Sequence, residues 1–289
     1  MSQLIDAHTH VWPRWPYDPP VPDDATRGSY GQLLATMDAA GVDKAIVVNA
    51  RITHSADNNH YGAQAVAQHP DRFEHFVDFD GRWSPEYHAP GSTQRLRRLI
   101  ETFRPAGVSH YLAPENDGWL LSKAGAEFFA AAGGAGLIVN FACSPLWHED
   151  LRKAAREFPE ATIMVNHLAG MTLWPGGVRD AARLVVSDED LPNLLVKISG
   201  FHYGTPRPWA YPHPEALEVS KMLYESLGPD RLVWGSDWPS LLPHMSYRQS
   251  LEIVREEASF LSAEDLPKIL GGNLHRALES ARPRREGAR

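Results

Sequence analysis

Short apolar runs that read as buried strands alternate along this chain with amphipathic stretches that read as helices, and few architectures accept that rhythm. Strands are predicted at residues 4–7, 45–49, 73–79, 108–112, 137–142, 162–165, 194–198 and 232–236. Helices are predicted at 29–40, 58–68, 93–103, 123–132, 147–158, 178–186 and 214–227, with two more at 247–261 and 263–270 after the last strand. Eight strand–helix units in about 250 residues match the arithmetic of a (β/α)8 TIM barrel, an α/β fold closed around one core. The rival is a doubly wound open sheet, whose usual ligand needs a Gly-x-Gly-x-x-Gly turn or a Gly-x-x-x-x-Gly-Lys loop, and the chain has neither. Gly133-Gly134-Ala135-Gly136 follows a helix and precedes a strand, the wrong order for a phosphate cradle, so it reads as a turn. A single domain over residues 1–280 is expected, with 281–289 as a flexible tail carrying the main cluster of basic residues.

Composition excludes several classes of function. The 289 residues are 43% hydrophobic with a net charge of -8, and acidic and basic residues are mixed throughout, so neither a nucleic-acid footprint nor an anionic membrane surface is expected as partner. The one cysteine, Cys143, rules out an internal disulfide framework and fits a reducing compartment. With no apolar run long enough to span a bilayer and no signal-peptide pattern at the start, the expected location is cytoplasmic. The partner is then a small molecule, and the oligomeric state, a homodimer among the choices, is open.

Chemistry enters with Asp6-Ala7-His8-Thr9-His10-Val11-Trp12. Alternate residues of a strand face one side, so His8 and His10 project together and could grip one metal ion, with Asp6 one step deeper on the same face. In a barrel of this kind the active site lies at the C-terminal ends of the strands. There the sequence places Glu115 after strand four, Asn140 on strand five, Asn166-His167 at the end of strand six, Lys197-Ile198-Ser199-Gly200 on strand seven and Ser236-Asp237-Trp238 on strand eight. Arg51, Arg82 and Arg207 follow strands two, three and seven, and one of them could bind a substrate carboxylate. Aromatic residues gather in the same segments, Trp83 and Tyr203 among them, and suggest a pocket with apolar walls suited to a sugar or small ring. Cys143 has no identifiable base beside it and reads as a small buried residue.

Taken with Trp234-Gly235-Ser236-Asp237-Trp238-Pro239, the paired histidines make the chain resemble the amidohydrolase superfamily, in the amidohydrolase-related family and its sugar-lactonase-like branch. His110-Tyr111-Leu112-Ala113-Pro114-Glu115 extends the likeness, which covers nearly the whole chain. In most of that superfamily strand five supplies a metal-binding histidine, whereas here Asn140 stands in its place and strand four lacks a lysine to bridge two ions. The resemblance therefore implies one divalent ion, zinc first and manganese second, held by His8, His10, Glu115 and Asp237. Some relatives open pyrone lactones without metal, so a metal-free route is the alternative. The implied reaction is hydrolysis of a small lactone, sugar or muconolactone-like, with Asp237 as general base and His167 as oxyanion donor; Asn140, Arg51, Trp83, Tyr203 and Arg207 are candidates to bind substrate. Non-oxidative decarboxylation of an aromatic or unsaturated acid is the alternative chemistry. An inactive barrel serving as a binding protein is the alternative of another class.

Overall fold

The computed structural model describes residues 3–52 and 55–287, with side chains as far as Arg282. Its strands are β1 (Ile5–Thr9), β2 (Lys44–Val48), β3 (Phe73–Asp78), β4 (Gly107–Tyr111), β5 (Ile138–Ala142), β6 (Thr162–Val165), β7 (Leu194–Ile198) and β8 (Leu232–Trp234). All pair in parallel and in sequence order in one sheet. The seam between first and last strand is made just past β8: His10 N donates to Trp238 O at 2.6 Å and Asp237 N to His8 O at 2.8 Å. The sheet thus closes as a (β/α)8 barrel. The helices are α1 (Asp24–Arg27), α2 (Tyr30–Ala40), α3 (Asn58–Gln68), α4 (Ser92–Phe103), α5 (Lys123–Gly134), α6 (His148–Glu157), α7 (Val178–Val185), α8 (Pro214–Leu227), α9 (Tyr247–Glu252) and α10 (Asn273–Gly287). None of the described helices is long and apolar enough to cross a membrane.

Local chemistry explains the boundaries. Ser29 caps α2 by accepting from Gln32 N, and Gly41 ends it in the left-handed region at φ 73°, where a side chain would be strained. The barrel interior below the site is filled by Ile5, Ala7, Ile46, Val48, Phe76, Ile138, Met164, Leu195 and Val233, and α10 plugs the bottom with Leu274 and Leu278. A second, larger apolar layer joins the outer strand faces to the helices.

Three expectations are corrected. Ile5 and Ala7 occupy the interior, so Asp6 does not share a face with the histidines; the β1–β2 register shifts between Asp6 and Thr9, which returns His8 to the inside. Near the C-terminus α9 ends at Glu252 and passes into a wider turn over Ile253–Glu257. Of the helix expected over 263–270, only residues 266–267 are α-helical, and they pass through a wider turn at Lys268–Gly272 into α10. Gly271 lies in that wider turn, where a Cβ would meet Gln3 O at 2.0 Å, so the backbone there packs directly on the start of β1 and the coil widens before α10. The helix α10 extends into the segment expected as a tail, of which residues 288 and 289 lie outside the described part.

Candidate active site

Strand ends bring four groups together at the mouth of the barrel. His8 Nε2 lies 3.1 Å from His10 Nε2. Asp237 Oδ1 lies 3.5 Å from His8 Nε2, 3.4 Å from His10 Nε2 and 3.9 Å from His167 Nε2. The ligand atoms of His8, His167 and Asp237 all fall within 4.8 Å of one another. Donor atoms around a tetrahedral zinc ion, at bonds of about 2.0–2.1 Å, stand about 3.3 Å apart, so this spacing fits one divalent ion. Asp237 Oδ1 is moreover buried without any hydrogen-bond partner, an arrangement that costs about 1–3 kcal/mol or more unless something positive meets it.

The atoms behind these groups hold them in that orientation. His10 Nδ1 donates to Val48 O at 2.6 Å, which turns Nε2 toward the other groups. His167 Nδ1 is 3.0 Å from Ser199 Oγ, again turning Nε2 inward. Asp237 Oδ2 accepts from Tyr203 Oη at 2.7 Å and Ser240 Oγ at 2.5 Å, which leaves Oδ1 to the histidines. Asp6 Oδ1 accepts from His8 N and Ser236 N, both at 2.9 Å, and so ties β1 to the end of β8 beneath the site. His167 and Asp237 both sit in the left-handed backbone region, at φ 51° and 65°, a strain that concentrates at functional positions.

Electrostatics suit a cation. Burial holds His8 well below the ordinary histidine value, helped by Lys197, and brings His167 down to about 4, so both rings are neutral at pH 7 with lone pairs available. Burial alone would raise Asp237, but the neighbouring His167, His10 and His8 outweigh it and hold the carboxyl well below its usual range. Lys197 Nζ lies 3.2 Å from His8 Nδ1 and over the Phe76 ring, and burial lowers its pKa to about 7. Burial also raises Asp6 to about 6 and Asp78 to about 7.

The other sequence candidates separate. Glu115, expected as a ligand, stands exposed on the loop after β4 and lines a neighbouring cleft, whereas His167, expected as an oxyanion donor, brings its Nε2 to 3.9 Å from Asp237 Oδ1. Tyr203, expected as a substrate contact, donates to Asp237 Oδ2. Asn140 is fully buried inside the barrel, where its Nδ2 donates to Ser109 Oγ and its Oδ1 has no partner. Arg51 donates to Ala56 O from an exposed position, and Arg207 is exposed with no side-chain bond among the described residues. Trp83 is 42% exposed and packs at a tilt against Tyr111, with the Arg82 guanidinium above it. Of the remaining tryptophans at this face, Trp12, Trp147 and Trp238 are core residues, and Trp174 lines the cleft. Burial pushes the Cys143 thiol up to about 12, which leaves it protonated and inert. Lys197 and Ser199, placed at the end of strand seven by the sequence, had no role assigned there, and Ser240 has no signal in the sequence.

A closed parallel barrel with imidazoles and a carboxylate converging at its C-terminal mouth is the construction of a barrel hydrolase. The chain belongs to the amidohydrolase family, whose model matches residues 5–279, and it is a hydrolase of that family. It is 26% identical over 289 residues to an L-fucono-1,5-lactonase from Burkholderia ambifaria, covering 94% of each protein. Among solved structures it is similar to an amidohydrolase from Burkholderia multivorans with bound zinc, at a TM-score of 0.75 and 20% identity, covering 96% of this chain and 99% of the other. It is also similar to 5-carboxyvanillate decarboxylase from Sphingomonas paucimobilis, at a TM-score of 0.61 and 16% identity over 96% and 99% of the two chains.

Proposed function

We propose that the protein opens a small lactone, sugar or muconolactone-like, by hydrolysis at the site around Asp237, with one divalent ion, zinc in first place. The observation that carries this reading is the buried, unpartnered Asp237 Oδ1 facing three imidazole Nε2 atoms. The likeness to an L-fucono-1,5-lactonase supports the substrate class, and the zinc in the Burkholderia multivorans structure supports the ion. His8, His10 and His167 with Asp237 would hold the ion, which would polarise the lactone carbonyl and lower the pKa of an adjacent water to near 7.

The chain's own residues do the remaining work. Asp237 Oδ1 accepts the proton of the attacking water as its oxygen bonds the carbonyl carbon, and returns it to the ring oxygen as the acyl C–O bond breaks. The product is the open-chain hydroxy acid. Tyr203 and Ser240 keep Asp237 Oδ2 occupied, so that Oδ1 alone faces the reaction. Decarboxylation is the second reading, favoured by the likeness to 5-carboxyvanillate decarboxylase; Asn140 in place of the strand-five histidine counts against it.

A panel of aldonolactones, muconolactones and aromatic carboxylic acids, run with zinc, with manganese and in chelator, tests the reaction. Turnover of lactones with release of one acid equivalent is expected, while carbon dioxide release from the acids without lactone turnover would replace hydrolysis by decarboxylation. Metal analysis tests the cradle. His167→Asn should lose most of the bound ion and Glu115→Gln should keep it; the reverse pattern would restore Glu115 as the ligand.

A further inference from the structure

A cleft of about 520 Å3 runs outward from His167, walled by the loops after β4, β5 and β6. Its size falls in the ~300–1,000 Å3 range that encloses drug-sized ligands and is several times that of a bare six-membered lactone. Its lining is of two chemistries. The polar part is His167, Asn166 and Tyr111, buried or nearly so, with the exposed Arg82 on the same wall. Both side-chain polar atoms of Asn166 and the hydroxyl of Tyr111 are buried without a partner, and no carboxylate lies within ion-pair distance of Arg82 among the described residues. The outer wall is Leu146, Leu173 and Trp174, set among prolines. Leu146 is 40% and Leu173 57% exposed, large apolar surfaces that a purely polyhydroxylated ligand would leave without a match.

We propose that the substrate is a lactone bearing an apolar substituent: its ring oxygens meet Asn166, Tyr111 and Arg82, and its hydrocarbon group lies along Leu146, Leu173 and Trp174. This rests on the lactonase reading, since it assigns the part of that substrate furthest from the reacting carbonyl. The continuity of the wall with His167 identifies the occupant as substrate, because anything filling the cleft abuts the reacting centre.

The test uses the metal-loaded protein with δ-lactones whose side chains grow from methyl to hexyl, beside glucono-1,5-lactone, and follows hydrolysis. Calorimetry with the matching δ-lactams reads binding independently of turnover. Each buried methylene is expected to raise kcat/KM and lactam affinity about three- to fourfold, and Leu173→Asn should flatten both trends. Lactones hydrolysed without dependence on chain length, or with preference for the polyhydroxylated ring, would overturn the apolar occupant and leave the lactonase reading standing. Lactams bound with a chain-length trend but no lactone opened would sink the lactonase reading and keep the occupant. Absence of both trends overturns both.

Discussion

The two oxygens of Asp237 are used differently, and that division predicts how two substitutions part company. Oδ1 meets the imidazoles, whereas Oδ2 is held by the hydroxyls of Tyr203 and Ser240. Asp237→Asn preserves the shape but removes the proton acceptor, so kcat should fall by about 10²–10⁴. Tyr203→Phe removes one hydrogen bond to a charged group and leaves Ser240 in place; a loss of about 1.5–3 kcal/mol corresponds to roughly ten- to a hundredfold in kcat/KM. The bound ion should stay in Tyr203→Phe, because the tyrosine touches the carboxylate from the side away from the histidines. Steady-state kinetics with metal analysis of both variants checks this, and an equal loss in the two would make Tyr203 a participant in proton transfer rather than a positioning residue.

At the scale of elements, the seam between β1 and the end of β8 holds the site together. A Cβ on Gly235 would stand 2.8 Å from His8 Cβ and 3.0 Å from His8 N, closer than real side chains approach. Gly235→Ala must therefore push the strands apart, with a stability loss of about 1–3 kcal/mol, the usual cost of overpacking. Because His8 itself is displaced, metal content and activity should fall in a variant that is still folded. A thermal melt and metal analysis of the same preparation check it, and a stable, fully loaded Gly235→Ala protein would refute the account of the seam.

Elements of this kind were largely legible in the sequence. The bounds of α3, α8, β6 and β7 agree with the apolar periodicity, since a buried strand or an amphipathic helix is written in local spacing. His8, His10 and Asp237 were legible for the same reason, as they follow strand geometry. The direction of Asp6 was not, because a register shift depends on the neighbouring strand. Nor was the approach of His167 to Asp237, with Glu115 left exposed, which turns on the path of two loops and the reach of their side chains. The start of α10 was hidden by a contact with Gln3, almost the full length of the chain away.

The whole molecule carries an unusual load of buried titratable groups, and their sum sets how its stability depends on pH. Burial lowers His75 and His110 to about 3 and His148 to about 4. In the unfolded chain each would titrate near 6.5, so between pH 6.5 and the folded values the unfolded state binds more protons and stability falls on acidification. Asp78 and Asp6 act in the opposite sense: raised to about 7 and about 6 by burial, they bind protons in the fold before the unfolded chain does, so acidification from pH 7 stabilises through them. From pH 6.5 to 5 these three histidines alone outweigh the two carboxyls by roughly 2 kcal/mol, and His8, His167 and His202, also lowered by burial, add to the loss, so that Tm should fall by at least about 4 °C. Melting curves in chelator, which remove the contribution of any bound ion, should show at least that drop. His148→Gln, which replaces a ring whose Nε2 meets Ala169 O at 3.1 Å, should reduce the drop; a Tm that rises on acidification would mean that the buried carboxyls, and not the histidines, dominate.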